Sequence, residues 1–175
     1  MEFANAVSML APLATLPFLE WRATLKSGIF ALGVFLLVGN SMMYHGAASA
    51  GMPECVLVAT RKLDQTAQHV SAVLFVYALS NSTLYVTCVY VYAAGSALLL
   101  WLDGRHDTVF VRRTNLFVTI CAVQGSLALR GDYENCKYAS FFVLAAMTCF
   151  TRGGYWHALS HLLLAPYVVC LHRAM

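Results

Sequence analysis

The chain has 175 residues, of which 60% are hydrophobic and only 11% charged; its net charge is +3 and its mean hydropathy is +0.68. Soluble domains usually carry about 25% charged residues, and a domain of this size cannot hide so much apolar surface in its own core. The composition therefore excludes an ordinary soluble domain and predicts lipid as the solvent for much of the chain. The modest net charge gives no indication of nucleic-acid binding.

Uncharged runs divide the chain into predicted membrane-spanning helices. Positions 65–102 carry no Asp, Glu, Lys or Arg. That run is too long for one helix across ~30 Å of hydrocarbon, so Ser80–Thr83 is expected to be a turn between two helices. In chain order, the predicted spans are 3–19, 27–53, two within 65–102, 114–129, 138–151 and 153–172. The sequence thus predicts an all-α, polytopic membrane protein, with a single domain over residues 1–175 that forms a seven-transmembrane helix bundle.

Polar stretches between these runs are expected to be loops. The first run lacks a basic leader and a small-residue cleavage site, so a first span is favoured over a signal peptide. Pro166 lies inside the last run and is a possible kink. The predicted loops are Glu20–Lys26, Cys55–Lys62, Asp103–Arg113 and Arg130–Lys137.

The seven-span topology places chemical groups from distant parts of the chain near one another. Span two ends, and spans three and seven begin, on the side of the membrane where the N-terminus lies. His45, Asp64 and His157 are therefore expected at the same depth of one leaflet. The basic residues divide almost evenly between the two sides, so the positive-inside rule leaves the orientation open.

Three histidines, a serine and an aspartate form the candidate chemical centre. His157 and His161 are four residues apart, so they share a helix face and can bind one metal ion. Ser41 and His45 repeat this spacing on another helix. Three imidazoles and a water would make a tetrahedral zinc site with an open position, and zinc lowers the pKa of its water towards ~7. Asp64 could accept a proton from that water, and Ser41 could hold the water or orient a histidine.

Plainer roles exist for the same residues. A histidine near an interface can simply face water or bond a backbone carbonyl, and Asp64 can cap the third span. His69 is interpreted as an ordinary polar residue with its hydrogen bonds satisfied, and Arg61 as a loop charge.

The order of these motifs resembles the CREST superfamily of seven-span membrane proteins, which includes alkaline ceramidases and the adiponectin and progestin receptors. The pattern is S-x-x-x-H in span two, Leu63-Asp64 opening span three, and H-x-x-x-H in the last span. The chain is most similar to the myomaker and transmembrane-protein-8 branch. That similarity is carried by Leu10-Ala11-Pro12-Leu13, Tyr44-His45-Gly46-Ala47 before Gly-Met-Pro, Cys55, Arg61 to Asp64, and Trp156-His157 to His161.

The resemblance implies Zn²⁺ on His45, His157 and His161, with Asp64 and Ser41 at the bound water. The expected function is a zinc-dependent intramembrane lipid hydrolase that cleaves an amide or ester bond of a ceramide, a phospholipid or a lipid-anchored substrate. The alternative is a non-catalytic multi-pass protein: a myomaker-like membrane remodelling or fusion factor, or a lipid-sensing receptor. In both cases the expected partners are membrane lipids, as substrate or ligand. The expected location is the plasma membrane or the ER and Golgi.

Overall fold

The computed structural model describes residues 1–20, 22–103 and 107–175, and these residues form helices joined by short connections without β-strands. A 3-10 turn over Leu16–Phe18 continues α2, so α1, α2 and this turn together make the first of seven helical segments in the described parts of the chain. The all-α prediction is thereby confirmed. The helices are α1 (Glu2–Ser8), α2 (Leu10–Thr15), α3 (Leu25–Ser49), α4 (Glu54–Leu79), α5 (Thr83–Leu102), α6 (Val109–Leu129), α7 (Tyr133–Arg152) and α8 (Tyr155–Arg173).

Short polar side chains set the starts of four helices. Thr24 and Ser27 form a reciprocal capping box at α3, in which each side chain accepts a hydrogen bond from the other residue's backbone N–H. Ser82, Thr108 and Asp132 each accept one backbone N–H at the starts of α5, α6 and α7. Such caps satisfy N–H groups that have no partner within the helix. The predicted turn at Ser80–Thr83 is confirmed, because α4 ends at Leu79 and α5 begins at Thr83.

The predicted loop over Cys55–Lys62 is wrong, because α4 already begins at Glu54, directly after Pro53. Asp64 therefore lies inside a helix and does not cap it. Proline favours helix starts, and the charged side chains that follow Pro53 lie on a continuous helix. The loops predicted over Asp103–Arg113 and Arg130–Lys137 are also shorter than expected, because α6 already begins at Val109 and α7 at Tyr133. Trp21 and 104–106, which fall in two of the predicted loops, lie outside the described residues.

The core is built mainly on two antiparallel helix pairs, α3 with α4 and α7 with α8, while α1 and α2 pack against α3 and α8. Phe30 of α3 and Phe75 of α4 place their ring centroids 4.9 Å apart in the centre of the first pair. Ser71 Oγ donates a hydrogen bond to the Gly33 carbonyl across the same interface at 2.8 Å. Helix α8 continues through Pro166 to Arg173.

Two described helices, α3 and α5, are long and apolar enough to cross a membrane. Several other helices carry charged residues near one end, such as Arg61 in α4 and Arg112 in α6. Membrane association of the chain is thus indicated by two helices, and the full set of seven spans stays a prediction.

Candidate metal centre

His45 from α3 and His157 and His161 from α8 come together in the fold. The ring centroids are 4.9 Å apart for His45 and His157, 5.3 Å for His45 and His161, and 4.7 Å for His157 and His161. One nitrogen from each ring lies within 4.8 Å of the other two. In a tetrahedral site with metal–nitrogen bonds near 2.0–2.1 Å, the nitrogens would be about 3.3 Å apart, so side-chain movements of about an ångström would close the site. The cluster could hold a metal ion.

His45 is held by a carboxylate from the start of the chain. Its ring is 3% exposed, and its Nδ1 lies 2.7 Å from Oε2 of Glu2 in α1. A carboxylate accepts a hydrogen bond here, so Nδ1 carries the proton and the lone pair of Nε2 stays free for a metal ion. Metal-binding histidines commonly have such a partner on the second ring nitrogen, because it sets both the tautomer and the ring orientation.

His161 is oriented by the same short helix. Its Nδ1 lies 3.0 Å from the Asn5 carbonyl oxygen and 2.9 Å from Oγ of Ser8. The Ser8 hydroxyl itself donates to the Asn5 carbonyl at 2.9 Å. Since a carbonyl can only accept, the proton of His161 lies on Nδ1, and Nε2 again remains free for a metal ion.

These contacts from α1 were not predicted from the sequence. Glu2, Asn5 and Ser8 are three residues apart in turn, so they share one helix face. That spacing of polar residues in an otherwise apolar segment is the signal that could have found them. It does not show which histidines they contact, because the contacts join the two ends of the chain.

Asp64 and Ser41 lie in the same chamber as the histidines. Asp64 is buried, and its Oδ2 accepts a hydrogen bond from Nε2 of Gln68 at 3.2 Å. Its Oδ1 is buried and has no hydrogen-bond partner among the described residues. Buried carboxylate oxygens rarely remain unpaired, so this atom is available to a water or to a bound molecule. His69, about one and a half turns further along α4, does not line this chamber. Its Nδ1 is buried and has no hydrogen-bond partner within the described part of the chain, so the interpretation of His69 as a residue with satisfied hydrogen bonds is wrong for this nitrogen.

The space around the site consists of two adjacent chambers. The histidine chamber, of about 1020 Å³ including its opening, is bounded by the three histidines, Ser41 and Asp64. The apolar chamber, of about 810 Å³ including its opening, lies among α3, α4, α6, α7 and α8 and is lined mainly by apolar side chains. The two chambers share the walls formed by Ser41, Gln68, Leu116, Phe150 and His161.

Three arginines also line the histidine chamber: Arg61 of α4, and Arg112 and Arg113 of α6. Asp107 accepts hydrogen bonds from Arg61 at 2.7 Å, Arg112 at 3.2 Å and Gln65 at 3.3 Å. Burial alone would raise the pKa of Asp107, but the bonds from Arg61 and Gln65 outweigh it and lower the pKa below its ordinary value. Arg61 is therefore part of the chamber and not a loop charge.

Comparisons of the chain with protein-family models, with curated proteins and with solved structures found no match.

Proposed function

We propose that the chain is a zinc-dependent hydrolase that cleaves an amide or ester bond of a lipid within a seven-span membrane bundle. The observation that carries this proposal is the meeting of three imidazoles, a buried carboxylate and a serine in one chamber, next to an apolar chamber that shares five of its lining residues. The motif order that resembles the CREST superfamily supports the same function.

The distribution of apolar side chains supports the membrane part of the proposal. Only 17% of the most apolar window of α5 is buried inside the protein. Large apolar side chains on its outside, including Leu84, Leu98 and Leu102, are more than half exposed. Continuous apolar surface of this kind is unfavourable in water and is satisfied by lipid.

The donor set fits zinc. Neutral imidazoles are common zinc ligands, and three protein ligands leave one position open, which is typical of catalytic rather than structural sites. His45 Nδ1 donates a hydrogen bond to the Glu2 carboxylate and His161 Nδ1 donates one to the Asn5 carbonyl, so both Nε2 atoms are left unprotonated, as a metal ligand must be. When bound, zinc supplies Lewis-acid polarisation of a carbonyl and acidifies water.

The chain's own residues supply the proton transfers. Oδ1 of Asp64 makes no hydrogen bond with a described group, so it can take a proton from a water that attacks the lipid carbonyl. The same carboxyl group can return that proton to the departing amine or alcohol as its bond to the carbonyl carbon breaks. The products are a carboxylic acid and an amine or alcohol. Ser41, which lines the same chamber, can orient the water or the carbonyl oxygen.

The adjacent apolar chamber favours one alternative from another class. A non-catalytic membrane remodelling factor or lipid receptor could hold an acyl chain in this chamber and use the metal ion only to fix α3 and α8 together. In that case the metal content would be unchanged, but no lipid would be cleaved.

The test combines metal content with turnover. Elemental analysis of the purified protein in detergent should give about one zinc per chain. His157→Ala and His161→Ala should lose the metal, whereas His69→Ala, outside both chambers, should keep it. Fatty-acid release from ceramides, phospholipids and lipid-anchored substrates is then followed by mass spectrometry. Release that disappears in His157→Ala and in Asp64→Asn supports the hydrolase; zinc without turnover on any lipid supports the alternative.

A further inference from the structure

We propose that the two chambers take a lipid with one acyl chain and a phosphate-bearing, anionic head group, and that Arg61, Arg112 and Arg113 bind the phosphate. This inference rests on the proposed function, since it names the substrate class of the same site. It separates this site from one built for a neutral lipid such as a ceramide.

Among the described residues that line the histidine chamber there are three guanidinium groups and one carboxylate, that of Asp64. Asp64 hydrogen-bonds to Gln68. Asp107, next to the chamber, pairs with Arg61 and Arg112 through one terminal nitrogen of each. Arg113 is exposed to the opening of the chamber. The wall therefore keeps an excess of positive charge and of N–H donors for an incoming anion.

Arg61 gives a more specific indication that an anion binds in this chamber. Its Nε is buried and forms no hydrogen bond with any described group, although its terminal nitrogen binds Asp107. An unpaired buried donor is unfavourable by the desolvation of that group, and binding an acceptor removes the penalty. Phosphate oxygens match the planar fork of an arginine with two parallel hydrogen bonds, and they can bridge neighbouring guanidinium groups.

The apolar chamber determines where the acyl chain lies. Phe75, Ile120, Val123 and Val143 are among its lining residues, most of which are apolar. It shares Ser41 and His161 with the histidine chamber, whereas the three arginines line the histidine chamber and not the apolar one. A lipid with its phosphate at the arginines and its chain in the apolar chamber would place the acyl linkage beside the histidines. A neutral head group would leave the arginines without an anion.

Binding is tested apart from turnover, in an Asp64→Asn background and in a neutral detergent, by native mass spectrometry. The probes are oleoyl-lysophosphatidic acid, oleoylglycerol with the same chain and no phosphate, and glycerol 3-phosphate with no chain. The first should bind at least about tenfold more tightly than either of the others, as expected for charge-assisted hydrogen bonds. Equal binding of oleoylglycerol would overturn the proposal. Tight binding of glycerol 3-phosphate alone would show a free-phosphate site and would also overturn it.

Variants of the protein test where the phosphate end and the acyl end of the bound probe lie. Arg112→Gln with Arg113→Gln should reduce binding of oleoyl-lysophosphatidic acid about tenfold and leave oleoylglycerol unchanged. If the double variant does not fold, Arg113→Gln is used alone. It disturbs no pair with Asp107 and should also weaken binding of oleoyl-lysophosphatidic acid. Arg173→Gln, at the exposed end of α8, is the matched control and should change nothing. Ala146→Leu, in the apolar chamber, should weaken the oleoyl probe more than an octanoyl one; equal weakening would contradict the placement of the chain.

The outcomes distinguish this proposal from the proposed hydrolysis. Phosphate-selective binding without cleavage of any lipid would leave the inference standing and refute the enzyme. Cleavage of neutral and anionic lipids at equal rates would support the enzyme and refute the inference.

Discussion

Glu2 Oε2 lies 2.7 Å from Nδ1 of His45, although the two residues are 43 positions apart in the chain. This contact joins the first turn of α1 to the end of α3. It makes a short N-terminal helix part of the candidate metal centre. Carboxylate–histidine pairs of this kind raise the basicity of the ligating nitrogen and hold the ring in one orientation.

Removing the Glu2 carboxylate should weaken metal binding without removing any ligand. For Glu2→Ala we expect the zinc affinity to fall by about 10–100-fold, the usual effect of losing a partner of a metal-bound histidine. Glu2→Gln should have a smaller effect, because its amide oxygen can still accept a hydrogen bond from the Nδ1–H of His45. The measurement is competition for zinc against a chromophoric chelator. Glu54→Gln, an exposed carboxylate at the start of α4, is the control. Equal affinities for wild type and Glu2→Ala would show that the contact does not tune the metal.

Asp64→Asn should impair catalysis and leave the fold intact. The Asn side chain keeps an oxygen that can accept from Gln68, as Oδ2 of Asp64 does at 3.2 Å. It cannot carry a proton between water and a leaving group, a step typically worth about 10²–10⁴ in rate. We expect unchanged zinc content and melting temperature, with lipid cleavage reduced by that factor. Loss of zinc or of the folded state would instead assign Asp64 a structural role.

The histidine cluster was predictable because the spacing that indicates it lies within a short stretch of sequence. Two histidines four residues apart on one helix share a face whatever surrounds them. The span count then brought His45 to the same end of the bundle. The role of α1 was not predictable in this way, because Asn5 and His161 meet only in the folded chain, 156 positions apart. The start of α4 was predicted too late, because charged residues such as Arg61 and Lys62 are typical of a loop. A helix can continue through charged residues, as α4 does from Glu54 onwards.

Gly33 allows α3 and α4 to pack closely. A Cβ atom built on Gly33 would lie 2.7 Å from Cε1 of Phe75, whereas one on Gly39, two turns along the same helix, would meet nothing within 4 Å. Gly33→Ala should therefore lower the free energy of unfolding by about 1–3 kcal/mol through overpacking. Gly39→Ala should instead raise it by up to about 1 kcal/mol, because alanine favours helix. Denaturant titration of both purified variants in one detergent checks the opposite signs. A stable Gly33→Ala would show that Phe75 can move aside.

Asp107 links α4 to α6 through charge. Its side chain is 11% exposed and lies against the guanidinium groups of Arg61 and Arg112. Because its pKa is lower in the folded protein than the ordinary value of 3.8, the ionised form is the one that the fold favours. The stabilisation is therefore complete above the unfolded pKa and is lost as the pH falls through the folded pKa.

Asp107→Asn should consequently reduce stability at neutral pH but not in strong acid. At pH 7 we expect a loss of about 1–3 kcal/mol, the usual range for hydrogen bonds to charged groups. The difference in melting temperature between wild type and variant should stay constant down to about pH 5, since both states of the wild type are ionised there, and should shrink below the ordinary pKa of 3.8. Thermal melts of both proteins in one detergent, from pH 7 to pH 3, provide the measurement. Glu134→Gln, at an exposed carboxylate in the first turn of α7, is the control and should show no such change. A difference that persists unchanged at pH 3 would show that the side chain of Asp107 acts by its shape or hydrogen bonds and not by its charge.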